Sequence, residues 1–224
     1  MYRDKLAESK GVRTSILAWM RRVLHEKKGE TDEHILRLKQ WVTRVGLCLD
    51  LPRRVLDDLA LFASLHDIGM IIIPERIMRK PGPLSLEEWR MVRKHPEIGF
   101  RIAASYPELA IVAEAILAHH EWWNGAGYPR GLEGEESPII CRILSITHAY
   151  DIMTHGRAGR KPMSQESALE EIKKGAGTQF DPGLGEVFLK VALENPEELK
   201  KDGSQTFSTG HVTGRGNSLL WREA

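Results

Sequence analysis

Residues 55–69, VLDDLALFASLHDIG, decide the fold of this chain. Their apolar residues recur every three or four positions up to Leu65, and this spacing predicts an amphipathic helix. His66 and Asp67 follow directly, and Gly69 favours an end to the helix there. An imidazole nitrogen and a carboxylate oxygen at a helix end can bind one metal ion or two adjacent ions. The structural alternative for this pair is a solvated helix end.

Helical periodicity continues along the chain, and no segment shows the alternation of an exposed strand. Ser85 followed by Glu88 forms a capping box, which marks a helix start. The glycine-rich segment 122–134 predicts an irregular loop. Predicted helices cover 31–49, 55–65, 85–95 with a break at Pro96, 107–120, 139–151, 164–174 and 182–193. The predicted fold class is therefore all-α.

The two ends of the chain differ from its centre. Residues 1–29 carry apolar residues at helical spacing beside several cations, which predicts an N-terminal helix or linker. This helix packs against the domain in one interpretation; in the other it is a signalling or dimerising helix, which would give a homodimer. Residues 193–224 are rich in Gly, Ser, Thr and charge, and we expect a disordered or loosely packed tail.

Composition excludes several classes of function. The 32 Lys and Arg residues nearly balance 31 Asp and Glu residues, which argues against binding of nucleic acid polymers or anionic membranes by overall charge. The longest apolar stretches run about ten residues, so we expect no membrane span, and the polar start does not resemble a signal peptide. We therefore expect a cytoplasmic protein, with Cys48 and Cys141 as buried reduced thiols.

Six of the nine histidines belong to one ordered series of metal-binding side chains. Neutral imidazole is a common ligand for transition metals, and carboxylates complete or bridge such sites. The series consists of His34, His66, Asp67, His95, His119, His120 and His148, with Glu30 four residues before the first. One isolated histidine would more often be a core residue, but the joint pattern predicts a hydrolytic metal centre. Since successive side chains on a regular helix point about 100° apart, His119 and His120 are expected to face different sides of their helix, where they could serve two metals that flank it.

These residues lie in segments that resemble the HD-GYP domain of the HD phosphohydrolase superfamily. The similarity covers about residues 30–192, which we take as one domain between the two ends. The matching segments are 66–69 (HDIG), 94–99 (KHPEIG), 119–121 (HHE), 124–129 (NGAGYP), 150–151 (YD) with Thr154, Arg157 and 160–161 (RK), and 177–182 (GTQFDP).

The resemblance implies an HD-domain helical bundle with the HD-GYP C-terminal extension. It also implies a bacterial phosphodiesterase that hydrolyses cyclic di-GMP to pGpG and often to GMP, with two or three divalent metals, commonly iron or manganese. The implied metal ligands are His34, His66, Asp67, His95, His119 and His120, with Glu30 for a third metal and His148 at a further ligand position.

In the implied reaction, a metal-bridging hydroxide attacks phosphorus, with Asp67 and His66 as the catalytic pair. Arg157 and Arg160 would hold phosphate, and Tyr128 with Gly127 would contact the substrate. The glycine-rich loop could also dock other signalling domains, of the GGDEF type among them.

Two positions depart from the family pattern. His148 stands where the family has an aspartate ligand, and Met70 stands where it has a lysine near the substrate phosphate. A thioether supplies neither a charge nor a strong hydrogen bond. Three hypotheses follow: an active cyclic-dinucleotide phosphodiesterase, a degenerate protein that binds cyclic di-GMP or a partner protein, or an HD phosphohydrolase for another phosphoester.

Overall fold

The computed structural model describes residues 18–20, 22–24, 31–156 and 161–194. These residues are mainly helical, and they include two isolated β-bridges and no strand. The prediction of an all-α fold is confirmed. The helices are α1 (Asp32–Cys48), α2 (Arg53–Leu65), α3 (Glu75–Met78), α4 (Leu86–Val92), α5 (His95–Ala104), α6 (Ala113–Ala118), α7 (Ile139–His155), α8 (Gln165–Gly175) and α9 (Pro182–Glu194), with 3-10 turns at Ile68–Ile72, Ala110–Val112 and Gly134–Glu136.

Local sequence signals set the helix starts. The side chain of Thr31 caps α1 by accepting a hydrogen bond from the His34 backbone N–H at 3.2 Å. Ser85 and Glu88 form the predicted capping box of α4. The N-caps therefore lie where the sequence places them.

The core lies between α1, α2 and α7. Leu59 and Phe62 of α2 have no exposed surface, and α2 packs along α1. Trp41 of α1, Tyr150 of α7 and Phe188 of α9 form an aromatic cluster with ring centroids 5.1 to 5.5 Å apart. This cluster joins the C-terminal helices to the N-terminal half of the domain.

Glycine at position 69 allows the turn after α2 to touch the start of α5. A Cβ atom there would lie 1.9 Å from the His95 carbonyl oxygen and 2.7 Å from the Gly99 nitrogen. No side chain fits between two backbones at this distance. The contact therefore fixes the 3-10 turn, and the Asp67 just before it, against α5.

Two predicted helices have different limits in the structure. The helix expected over 85–95 ends at Val92, and Pro96 lies in the first turn of α5, where a missing N–H costs no helical hydrogen bond. The helix expected over 107–120 begins as a 3-10 turn and ends at Ala118. Both shifts place histidines at helix ends.

Other predictions have mixed outcomes. Cys141 is buried, but Cys48 is exposed, so the prediction of a buried thiol at position 48 was wrong. Its helix buries a stripe that includes Val45 and Gly46, and Cys48 points away from that stripe. Within the described ranges, no helix is both long and apolar enough to span a membrane.

The two chain ends are described only in part. Residues 18–20 and 22–24 are helical, and Met20 and Leu24 are buried in the same core as α2, as expected of a packing helix. The predicted tail lies outside the described residues except for Leu193 and Glu194, which belong to α9.

Gly69→Ala is expected to lower the free energy of unfolding by at least about 2 kcal/mol, because the backbone of α5 would have to move. Urea unfolding measures this change. Gly185→Ala in α9 is the control, since its Cβ would meet no heavy atom within 4 Å, and it should be neutral or stabilising by up to about 1 kcal/mol. Equal stability of the Gly69→Ala variant and the wild type would contradict this account of the turn.

Candidate metal centre

Asp67, His95, His119 and His120 form the centre of the site. Their nearest ligand atoms all lie within 4.8 Å of one another. The Nε2 atom of His95 lies 3.0 Å from Nε2 of His119, 3.2 Å from Nε2 of His120 and 3.2 Å from Oδ1 of Asp67. Residues separated by up to 53 positions in the chain thus present three ring nitrogens and a carboxylate to one point.

Helix ends orient three of the histidines. In each, Nδ1 lies at hydrogen-bond distance from the carbonyl oxygen three residues earlier, in the last turn of a helix, where carbonyls lack a helical N–H partner. The distances are 3.1 Å for His66 and Ala63, 2.8 Å for His95 and Val92, and 2.6 Å for His119 and Ile116. When Nδ1–H donates to this carbonyl, Nε2 keeps its lone pair and faces the site.

The prediction that His119 and His120 point to different sides of a helix was wrong, because both rings face His95. That prediction assumed a regular helix through both residues. Helix α6 ends at Ala118, and the chain turns at His119. Both imidazoles therefore approach His95.

Asp67 connects this cluster to the remaining histidines. Its Oδ1 faces His95, whereas its Oδ2 lies 3.2 Å from Nε2 of His66. The ring of His66 lies 4.8 Å from the ring of His148, which lies 5.4 Å from that of His34. All seven members of the predicted series thus lie in one continuous row, with the carboxylate between its two parts.

Asp151 anchors the far end of the row. It is almost fully buried, and its carboxylate accepts hydrogen bonds from Nδ1 of His34 at 2.7 Å and from Arg37 at 2.6 and 3.1 Å. His155 Nδ1 lies 3.2 Å from the same carboxylate. Burial opposes ionisation, but the hydrogen bonds from His155, His34 and Arg37 outweigh it and hold the pKa of Asp151 well below its usual range.

Tyr128 lies behind His120. The two rings stack with centroids 4.7 Å apart and an interplanar angle of 14°, and the Arg93 guanidinium carbon lies 4.3 Å from the tyrosine centroid. Burial raises the pKa of Tyr128 well above its ordinary value, so the phenol stays neutral. Gly127 allows the close packing, since a Cβ there would lie 2.3 Å from the Trp122 nitrogen.

Glu121 holds the glycine-rich loop, a role that motif matching did not reveal. This buried carboxylate accepts backbone hydrogen bonds from Arg130 at 2.7 Å and from Leu132 at 3.0 Å. The same loop is joined to the segment before α9 by hydrogen bonds from Trp123 N to Gln179 O and from Asn124 N to Thr178 O. The sequence signal for this role of Glu121 was its position directly after two histidines and before a glycine-rich loop.

A cleft opens beside the histidines. His119, His120 and His148 form one side, and Trp122, Ser145 and Gln179 are among the other lining residues. These last three were not predicted from the sequence as site residues: Gln179 lies within the matched segment 177–182, whereas Trp122 and Ser145 lie in no matched segment.

Three of the predicted site residues, Glu30, Arg157 and Arg160, lie outside the described residues. Met70 is buried in the hydrophobic core, directly after the turn that carries Asp67. A thioether suits this apolar position.

The donor set fits divalent transition metals. Imidazole nitrogens and carboxylate oxygens suit iron, manganese and zinc, and the cluster contains no thiolate. When Nδ1–H of His95 and of His119 each donates to its carbonyl, the two Nε2 lone pairs face each other at 3.0 Å, and a cation between them would remove their repulsion. The residues that could hold metal are therefore the row from His34 to His120.

Sequence comparisons place the chain in a known family. A family model described as HD domain matches residues 18–184. The chain is 36% identical over 188 residues to a cyclic di-GMP phosphodiesterase of Thermotoga maritima, covering 83% of this chain and 50% of that protein. It is 36% identical over 163 residues to the 3'3'-cGAMP-specific phosphodiesterase 2 of Vibrio cholerae, covering 72% and 31%. The chain spans half or less of the length of these relatives.

Solved structures share the fold. The structure of a cyclic GMP-AMP specific phosphodiesterase of Vibrio cholerae matches with a TM-score of 0.63 at 24% identity, covering 83% of this chain and 49% of that one. An HD-GYP protein of Bdellovibrio bacteriovorus matches with a TM-score of 0.56 at 19% identity, covering 70% and 51%. These matches support the predicted helical bundle.

Tyr128→Leu is expected to weaken Mn²⁺ binding about tenfold, because residues that orient a metal ligand typically affect affinity on this scale. Tyr128→Phe keeps the ring stacked on His120 and should bind Mn²⁺ like the wild type. Competition with a chelator measures both affinities. Equal affinities for the Leu and Phe variants would contradict a supporting role for the ring.

Proposed function

Because the chain belongs to the HD domain family, we propose that it is a metal-dependent phosphodiesterase that hydrolyses cyclic di-GMP to pGpG, GMP or both. The observation that carries this proposal is the convergence of His95, His119 and His120 on Asp67, with ring nitrogens 3.0 to 3.2 Å apart. The names of the relatives supply the substrate class, cyclic dinucleotides.

We assign two or three divalent metal ions to the site, iron or manganese. Asp67 directs Oδ1 toward His95 and Oδ2 toward His66, so its carboxylate would offer one oxygen to each part of the row. The ligands would be His34, His66, His95, His119, His120 and His148 with Asp67, and Glu30 would serve a third ion. Such ions would neutralise phosphate charge and lower the pKa of a bound water.

Asp67 and His66 are the proposed catalytic pair. Both side chains are buried, so the carboxylate has little freedom to rotate away from the reacting atoms. The carbonyl of Ala63 fixes the His66 ring through Nδ1. These contacts let Asp67 orient an attacking water without a rearrangement during the reaction.

Substrate binding is assigned to Arg157, Arg160, Tyr128 and Gly127. Guanidinium groups bind phosphate oxygens in pairs of charge-assisted hydrogen bonds, and Arg157 and Arg160 follow α7, the helix that carries His148. The packing of Tyr128 on His120 favours an indirect contribution through the metal ligand. Gly127 would allow the close backbone packing of the loop against Trp122.

The cellular setting follows from the same assignment. We propose a cytoplasmic signalling protein, with GGDEF-type or other signalling domains as partners and a homodimer as its assembly. The phosphodiesterase names of the relatives do not favour a receptor without turnover.

Protein purified without oxygen and supplied with iron or manganese should convert cyclic di-GMP to pGpG or GMP, as followed by chromatography, and a chelator should stop the conversion. Asp67→Asn should lower kcat by about 10²-fold or more. Asp57→Asn, the same change at an exposed position of α2, is the control. Stoichiometric metal without any product would refute the enzyme proposal.

The double variant His148→Asp, Met70→Lys tests whether the two departures from the family pattern limit kcat. Restoring a carboxylate and a phosphate-binding ammonium should raise kcat by up to about 10²-fold. Thermal unfolding accompanies the assay, because Met70 is buried and a lysine there can lower stability. An unchanged kcat in a folded double variant would refute the account.

A further inference from the structure

The cleft beside the histidines has a polar side built from three separate segments. Trp122 follows the paired histidines, Ser145 lies three residues before His148 on α7, and Gln179 precedes α9. All three residues are partly exposed. Residues three apart on a helix share a face, so Ser145 lies on the same side of α7 as His148.

The polar atoms of these three side chains are not used inside the protein. Within the described part of the chain, the Trp122 indole, the Ser145 hydroxyl and the Gln179 amide form no hydrogen bond, and the indole stacks on no other ring. Glu121, which lines the same cleft, instead accepts two backbone hydrogen bonds. The three side chains therefore have their donors, acceptors and aromatic face available for a ligand.

The backbone around Trp122 and Gln179 is fixed. The backbone N–H of Trp123 donates to the Gln179 carbonyl at 3.2 Å, and that of Asn124 donates to the Thr178 carbonyl at 2.9 Å. The segments that carry both side chains are thus held together by backbone hydrogen bonds. A binding surface held in this way loses little entropy when a ligand binds.

We propose that the polar side of the cleft, formed by Trp122, Ser145 and Gln179, binds a purine base of the substrate. Trp122 stacks on the base, and Gln179 forms hydrogen bonds with its edge. This inference rests on the proposed function, because it places the base of a substrate whose phosphate would lie at the histidines. Indole offers a flat face to any base. The amide both donates and accepts, so it matches the mixed edges of guanine and adenine.

Ser145 adds a hydroxyl that can donate or accept at the same edge. Because an amide can turn over and exchange its donor and acceptor, Gln179 does not restrict the site to guanine. A carboxylate at the same position would favour guanine, whose N1–H and amino group both donate. The polar side of the cleft thus suits guanine- and adenine-containing cyclic dinucleotides alike.

Calorimetric titration of the full chain with cyclic di-GMP tests the proposal. The protein is first stripped of metal with a chelator, so that no turnover occurs during the titration. Gln179→Leu and Trp122→Ala should each raise Kd about tenfold, and Trp122→Phe should raise it less because it keeps a stacking face. Gln165→Leu is the matched control, since its amide donates to the Ala192 carbonyl at 3.2 Å away from the cleft, and it should leave Kd unchanged.

Hydrolysis provides a second readout. With Mn²⁺ restored, Gln179→Leu should lower the ratio of kcat/KM for cyclic di-GMP to kcat/KM for bis(p-nitrophenyl) phosphate, which has no purine, about tenfold. Wild-type Kd values in the Gln179 and Trp122 variants, or no binding by the wild type, would overturn the proposal. Altered Kd values in a protein that hydrolyses no cyclic dinucleotide would support base binding and refute the phosphodiesterase proposal.

Discussion

The contact between a histidine Nδ1 and the carbonyl three residues earlier is the constraint on which the site depends. It occurs at His66, His95 and His119, each at or just beyond the end of a helix. A helix end supplies a carbonyl without a helical partner, and the imidazole satisfies it. The same hydrogen bond directs Nε2 inward. Each helix end therefore satisfies one of its own carbonyls and orients an imidazole.

Packing between helices brings these ends to one place. The turn after α2 touches α5 at Gly69, which sets Asp67 beside His95. Helix α7 crosses the core with the aromatic cluster around Trp41, and so holds His148 and Asp151 against α1 and α2. Asp151, ionised and bonded to Arg37, in turn fixes His34. The candidate metal centre is thus supported by contacts that also stabilise the fold.

Much of this could be predicted from local sequence. Apolar periodicity gave α1, α2, α7, α8 and α9, and the capping box of Ser85 and Glu88 marked the start of α4. The limits around His95 and His119 could not be predicted in this way. There, His95 and His119 bond through Nδ1 to carbonyls of the last helical turn and meet each other across separate segments, and a periodic pattern does not record such contacts.

The sequence by itself determined which residues could bind metal, because donor chemistry belongs to the side chain and the motif order limits the family. Only the tertiary structure decided which donors meet, that His119 and His120 face one side, and that Tyr128 packs against His120. It also assembled Trp122, Ser145 and Gln179 around one cleft. These arrangements depend on distances between segments far apart in the chain, and packing of the whole core sets those distances.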